Sequence, residues 1–248
     1  MTEKPKGLTR RQLLVSSVTT LAAGAAATAQ AATLTGTPKW LPFDHNGPMH
    51  YDTPGWQFFT AEEAKEIEAI VEQLIPADDL SVSGKDAGCA VFIDRQLAGE
   101  YGDFSRLYMQ GPFTPGTAPQ ADQSPLVPRE RYRLGIAGLG KYCQAQFHKP
   151  FSALPAEQRD KVLTDLENGA IALEGIDAKL FFQQVLDNTM EGFFADPIYG
   201  GNRDMVSWKM IGFPGARYDY RDYIAMHNQK LNLTPISIIG SSAWNRKG

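Results

Sequence analysis

Five stretches of this sequence place apolar residues at the three- and four-residue steps of a helix, and no stretch of useful length alternates as a strand does. That pattern restricts the chain to an all-α fold, an irregular bundle of about five helices with extended N- and C-terminal arms. The first stretch opens on Thr60-Ala61-Glu62-Glu63, a capping box in which hydroxyl and carboxylate satisfy the orphan amides. It continues through Ile67, Ile70, Val71, Leu74 and Ile75, and Pro76 stops it. The second spans residues 87–100, with Val91, Ile93 and Leu97 inward and Cys89 in its first turn. The third spans residues 129–147 and contains Cys143. The fourth opens at Leu154-Pro155-Ala156-Glu157, where the missing proline amide costs nothing. It carries Val162, Leu163 and Leu166, and Asn168-Gly169 closes it. The fifth, residues 177–194, aligns Leu180, Phe181, Val185, Leu186, Met190, Phe193 and Phe194. Between the second and third, residues 111–128 are rich in Pro, Gly and Gln and lack a period. A loop of that length in a compact domain points to a surface role.

The N-terminus reads as an export signal. Thr9, the pair Arg10 and Arg11, and the apolar residues that follow resemble the twin-arginine (Tat) consensus. The run from Leu13 to Ala27 is too short and too mild to hold a chain across a bilayer. Ala29-Gln30-Ala31 fits a small-x-small cleavage rule, which puts the cut between Ala31 and Ala32. Tat carries folded cargo, as suits a protein that gains a cofactor or partner before export. The expected organisation is a signal over residues 1–31, an extended aromatic arm over 32–58, a helical domain over 59–230 and a tail over 231–248. No later run of apolar residues is long enough to cross a membrane, so no span is expected after cleavage.

The whole chain carries a net charge of −4, and loss of its basic leader would make the remainder more acidic. An acidic body does not suit a phosphate backbone, so nucleic acid is not an expected partner. The two cysteines, Cys89 and Cys143, form no metal or haem motif. In an oxidising compartment they could bridge each other or another chain, or they could be two buried thiols. His45, His50, His148 and His227 have no i, i+4 pairing, so no helix-borne metal pair is expected. Catalytic, cofactor and metal residues are therefore all expected to be absent.

Two groups in residues 196–223 invite a functional reading. Asp196, Arg203 and Asp204 could form an acid/base cluster, but an Arg–carboxylate clamp on an irregular loop is the preferred reading. Tyr199, Trp208, Phe213, Tyr218, Tyr220 and Tyr223 concentrate aromatic surface, suited either to the core, to a partner or to a sugar ring. The candidate partner-facing residues are Trp40 and Trp56 from the arm, with Tyr199, Asn202, Arg203, Trp208, Tyr218 and Tyr220.

The most distinctive segment is residues 191–217, EGFFADPIYGGNRDMVSWKMIGFPGAR. Together with FTAEE at 59–63, LIPAD at 74–78, FID at 92–94, GPF at 111–113, YDYRDY at 218–223 and the Tat leader, it resembles the gluconate 2-dehydrogenase subunit 3 family. The resemblance implies a non-catalytic small subunit of a periplasmic, flavin-dependent gluconate 2-dehydrogenase complex. It implies a large FAD-containing dehydrogenase subunit without its own leader, carried folded through the Tat translocase. It implies a multihaem cytochrome c subunit that passes electrons onward, and a periplasmic location associated with the inner membrane through the complex. FAD and haem c would then belong to the partner subunits, with no cofactor in this chain. Gluconate as the substrate rests wholly on the resemblance, and 2-ketogluconate, sorbitol and fructose stay open. The alternative is a free-standing secreted enzyme or sugar-binding protein with residues 196–220 as its pocket.

Overall fold

The computed structural model describes residues 55–117, 120, 123–217 and 219–238. The leader, the Ala31–Ala32 cut, most of the aromatic arm with Trp40, and Tyr218 lie outside the described residues. The described part is all-α: α1 (Ala61–Leu74), α2 (Cys89–Ala98), α3 (Pro128–Phe147), α4 (Ala156–Asn168), α5 (Ala178–Phe194) and α6 (Val206–Ile211). Short 3-10 turns punctuate the connections. Among the described residues no strand forms, and only isolated bridges join Leu173 to Ile176 and Gly215 to Ile236.

The five long helices fall where the periodicity places them, for reasons local to each. Thr60 caps α1: its hydroxyl accepts from the Glu63 amide at 3.2 Å, while Glu63 accepts from the Thr60 amide at 2.9 Å. Pro128 starts α3, with Glu130 reaching back to the Val127 amide at 3.1 Å. Gly169, at φ +70°, ends α4. The Asp177 carboxylate caps α5 through the Leu180 amide at 2.9 Å.

α5 lies centrally and packs on α1, α2, α3 and α4. Phe181 and Val185 of α5 meet Ile67, Ile70 and Val71 of α1, Ile93 and Leu97 of α2, and Tyr132 and Leu139 of α3 in one buried cluster. α3 approaches α5 closely only because position 135 is glycine. A Cβ on Gly135 would lie 2.1 Å from the Phe181 ring.

Phase differs from the sequence reading at particular positions. On α2 the inward stripe runs through Cys89, Phe92, Ile93, Asp94 and Leu97, while Val91 is half-buried. On α5 Met190 faces solvent and Gln184 and Asn188 face inward. These inward polar groups are bonded. The Tyr132 hydroxyl donates to Asn188 Oδ1 at 3.0 Å; Asn188 Nδ2 donates to the Tyr101 hydroxyl at 3.1 Å and to Glu191 at 3.0 Å. Burial raises the pKa of both phenols, so they remain neutral donors.

Cys89 and Cys143 are both buried free thiols. The intrachain bridge left open by the sequence is not formed, and with each side chain enclosed in the core neither sulfur is offered to another chain. Burial pushes Cys89 up to about 12 and Cys143 up to about 11, so both stay protonated and inert at neutral pH.

The part of the arm that is described is docked rather than free. The Asp94 carboxylate accepts from the amides of Gln57, Phe58 and Phe59 at 2.8, 2.9 and 2.9 Å, and from Arg95 at 2.5 Å. Trp56 packs edge-on to Phe59 at 6.3 Å, so it belongs to this fastening. The tail also returns: Ala216 donates to Ile236 O at 2.7 Å, and Ile236 donates to Pro214 O at 3.2 Å.

Candidate docking surface

The segment after α5 is built by an unusual backbone path. Pro197 cannot continue a helix, and Asp196 caps the following 3-10 turn through the Ile198 amide at 3.0 Å. Gly200 takes φ +96°, and Gly201 presses onto the end of α5, where a Cβ would lie 2.1 Å from Gly192 O. Only glycine permits that approach. Asn202, Asp204 and Met205 then adopt left-handed φ of 44°, 56° and 55°. Such conformations cost on the order of 1–2 kcal/mol per non-glycine residue, least for Asn and Asp.

Internal bonds hold this path in place. Asn202 is fully buried: its Nδ2 donates to Ala195 O at 2.9 Å, and its Oδ1 accepts from the Ser207 amide at 3.0 Å and hydroxyl at 2.8 Å. The Arg203 amide donates to Ala87 O at 3.0 Å, tying the loop to the start of α2. Trp208 is buried, donates its indole N–H to Phe194 O at 2.9 Å and meets Phe213 edge-on at 5.2 Å.

With Ser207 and Trp208 turned inward, α6 turns Met210 and Ile211 outward, and Phe213 follows. Ile211 is 57% exposed. Beside α6, Leu80, Val82, Val206 and Met210 line an open groove of about 550 Å³ whose rim carries Asp78, Asp79 and Lys209. Leu80 is 74% exposed. Asp78 fixes that turn by accepting from the Leu80 and Ser81 amides at 2.8 and 2.9 Å. A set of large apolar side chains held outward on rigid backbone has the physical character of an interface core.

The candidate residues separate into different roles. Tyr199, Arg203 and Tyr220 are exposed, with Tyr220 edge-on to Tyr223 at 6.3 Å. Asn202 and Trp208 are not surface residues; both are spent inside, because the left-handed path needs a buried polar brace and an anchor. The expected Arg203 clamp on Asp196 is also replaced. Asp196 accepts instead from Ser237 Oγ at 2.6 Å and from the Ile238 amide at 2.8 Å. Nor do the aromatics among the described residues converge on one stacking platform: Trp208 faces inward, Tyr199 lines a separate groove with Tyr101, and Tyr220 pairs with Tyr223. The sequence reading missed Leu80, Val82 and Ile211 as surface groups, and its return of Trp208, Met210 and Phe213 toward the core holds for Trp208 alone, since Met210 and Phe213 are exposed. Their signal was available as apolar residues beside turn-forming Asp and Gly.

Among the described residues no group of three or more His, Cys, Asp or Glu stands together as a metal site, and no helix is long and apolar enough to cross a membrane. Fold and surface define an all-α domain that displays a braced, apolar loop. Residues 61–215 match the family described as gluconate 2-dehydrogenase subunit 3, and the chain belongs to that family. Comparison with curated proteins and with solved structures returned no match. The family match takes in all six helices and the braced loop, and ends at Gly215, where the returning tail pairs with the loop.

Proposed function

We propose that this chain is the non-catalytic small subunit of a periplasmic, flavin-dependent gluconate 2-dehydrogenase complex. It grips a large FAD-containing dehydrogenase subunit in folded form, lends it the Tat leader with Arg10 and Arg11, and stabilises it beside a multihaem cytochrome c subunit. FAD and haem c reside in those partners. The complex sits at the periplasmic face of the inner membrane.

Family membership supports the subunit role. The observation that carries the docking reading is the groove lined by Leu80, Val82 and Met210, with Ile211 and Phe213 exposed just after Met210 on a backbone braced from within. A preorganised face loses little entropy on binding. It would form the centre of a larger contact, since obligate interfaces bury more than about 2,000 Å² in total.

Co-expression with the FAD-containing subunit tests this. The wild-type chain should co-purify with a yellow protein, and Ile211→Asp or Leu80→Asp should weaken that association at least about tenfold while leaving the helical body folded. Retention of the flavoprotein by both variants would overturn the assigned face. Replacing Arg10 and Arg11 by Lys should strand dehydrogenase activity inside the cell, and undiminished periplasmic activity would overturn the carrier role.

A further inference from the structure

We propose that residues 234–238 are a strap that positions the display loop, with Asp196 as its buckle. This rests on the docking role proposed above and assigns a function to a segment beyond the family match.

Asp196 is buried, and the Ile198 amide supplies just one of its bonds. The strap supplies the others. Ser237 Oγ–H donates to Oδ1 at 2.6 Å and the Ile238 N–H to Oδ2 at 2.8 Å. Without them a buried carboxylate would lack most of its partners and would draw in water.

The same strap runs beside residues 214–217. The Ala216 amide donates to Ile236 O at 2.7 Å, the Ile236 amide to Pro214 O at 3.2 Å, and Arg217 Nη2 to Thr234 O at 2.8 Å. At the crossing, a Cβ on Gly215 would lie 2.2 Å from Ile236 O, so the contact is backbone against backbone. The strap thus grips both ends of the segment that contains α6: Asp196 before it and residues 214–217 after it.

That placement matters because the enclosed path is strained. Left-handed Asn202, Asp204 and Met205 persist only if surrounding contacts over-determine them. Asn202 and Trp208 brace the path from inside. The strap closes it from the open side. Released, the loop would relax and Met210, Ile211 and Phe213 would lose their fixed outward arrangement, while the five long helices would keep their core.

The test compares the full chain with Ser237→Ala and with a chain ending at Leu233. Amide hydrogen exchange is followed at Ile198, Ser207, Phe213 and Ala216 and across α1 to α5, and dissociation of the co-expressed FAD-containing subunit is timed. The shortened chain should exchange at least tenfold faster at those loop amides with α1 to α5 unchanged, and should release the flavoprotein at least tenfold faster. Ser237→Ala should lie between it and the full chain. Unchanged loop exchange in the shortened chain overturns the strap, as does uniform acceleration through every helix. Selectively faster loop exchange in the shortened chain, with a full chain that never retains the flavoprotein, supports the strap and overturns the docking role.

Discussion

Asp94 and Asp196 each fasten one end of the described chain to the helical body, with different resources. Asp94 is fully buried, accepts three consecutive backbone amides and is paired with Arg95. The segment it holds brings Phe59 into the core and Phe58 and Trp56 against it. Asp196 accepts one local amide and two groups from the tail, and the cation expected beside it, Arg203, is not among its bonded partners. The segment it holds is mostly half-exposed, with Ser237 as its buried residue. A fastening backed by aromatic burial is part of the fold. A fastening made of polar contacts alone can open without unfolding what it is attached to.

The largest expected effect is at the first. Asp94→Ala takes the shared acceptor from the amides of Gln57, Phe58 and Phe59 and one bond from the Arg95 guanidinium, which keeps its bond to Gly55 O, and should lower unfolding free energy by about 3 kcal/mol in urea titration. Asp196→Ala should cost less, about 1–2 kcal/mol, with faster exchange confined to the loop and tail. Equal costs for the two variants would break the contrast.

Glu63 sharpens it through pH. Burial alone would raise its pKa, but the Arg133 hydrogen bond and the Thr60 amide outweigh burial and hold it below its ordinary value. A lowered carboxylate contributes stability that is present above its unfolded pKa and lost as pH falls through the folded one. Glu63→Gln keeps an acceptor for the Thr60 amide but loses the charge facing Arg133, and should cost only roughly 0.2–1 kcal/mol at neutral pH, a difference from wild type that should vanish in acid. A difference that grew in acid would contradict the pairing.

The smallest effect expected is a rate near zero. In the native chain a thiol reagent should label neither Cys89 nor Cys143, and both should react on denaturation. Cys89 lies beneath the loop, next to Gly88, whose missing Cβ leaves room for Gly200 O and Arg203 Nε. Opening the tail fastening should thus expose Cys89 before Cys143. Simultaneous labelling would mean that loop and body open together.

Much of the helical body was legible because its signals are local: a capping box at Thr60, a proline at the start of α3, Gly169 at the end of α4 and apolar residues at helical spacing. Asp94, Gln184 and Asn188 were less so. Each is a polar residue in an inward stripe, and periodicity treats such a residue as a blemish when it is a bonding hub. The braced loop was half legible. Its glycines and Asp196-Pro197 announced turns, but the left-handed positions up to Met205 contradict residue preference and are held by distant contacts, Asn202 and Trp208 among them. The partner of Asp196 could not be read at all, since Ser237 lies forty-one residues away.

The sequence has four tryptophans; Trp40 and Trp244 lie outside the described residues, and the other two mark the two fastenings. Trp208, enclosed with its indole N–H given to a helix-end carbonyl, reports on the loop, and Trp56 on the opposite end. The molecule thus contains its own optical gauges. A red shift in emission that disappears with Trp208→Phe would register slackening of the tail fastening, and one that disappears with Trp56→Phe would register release of the other, without any attached dye.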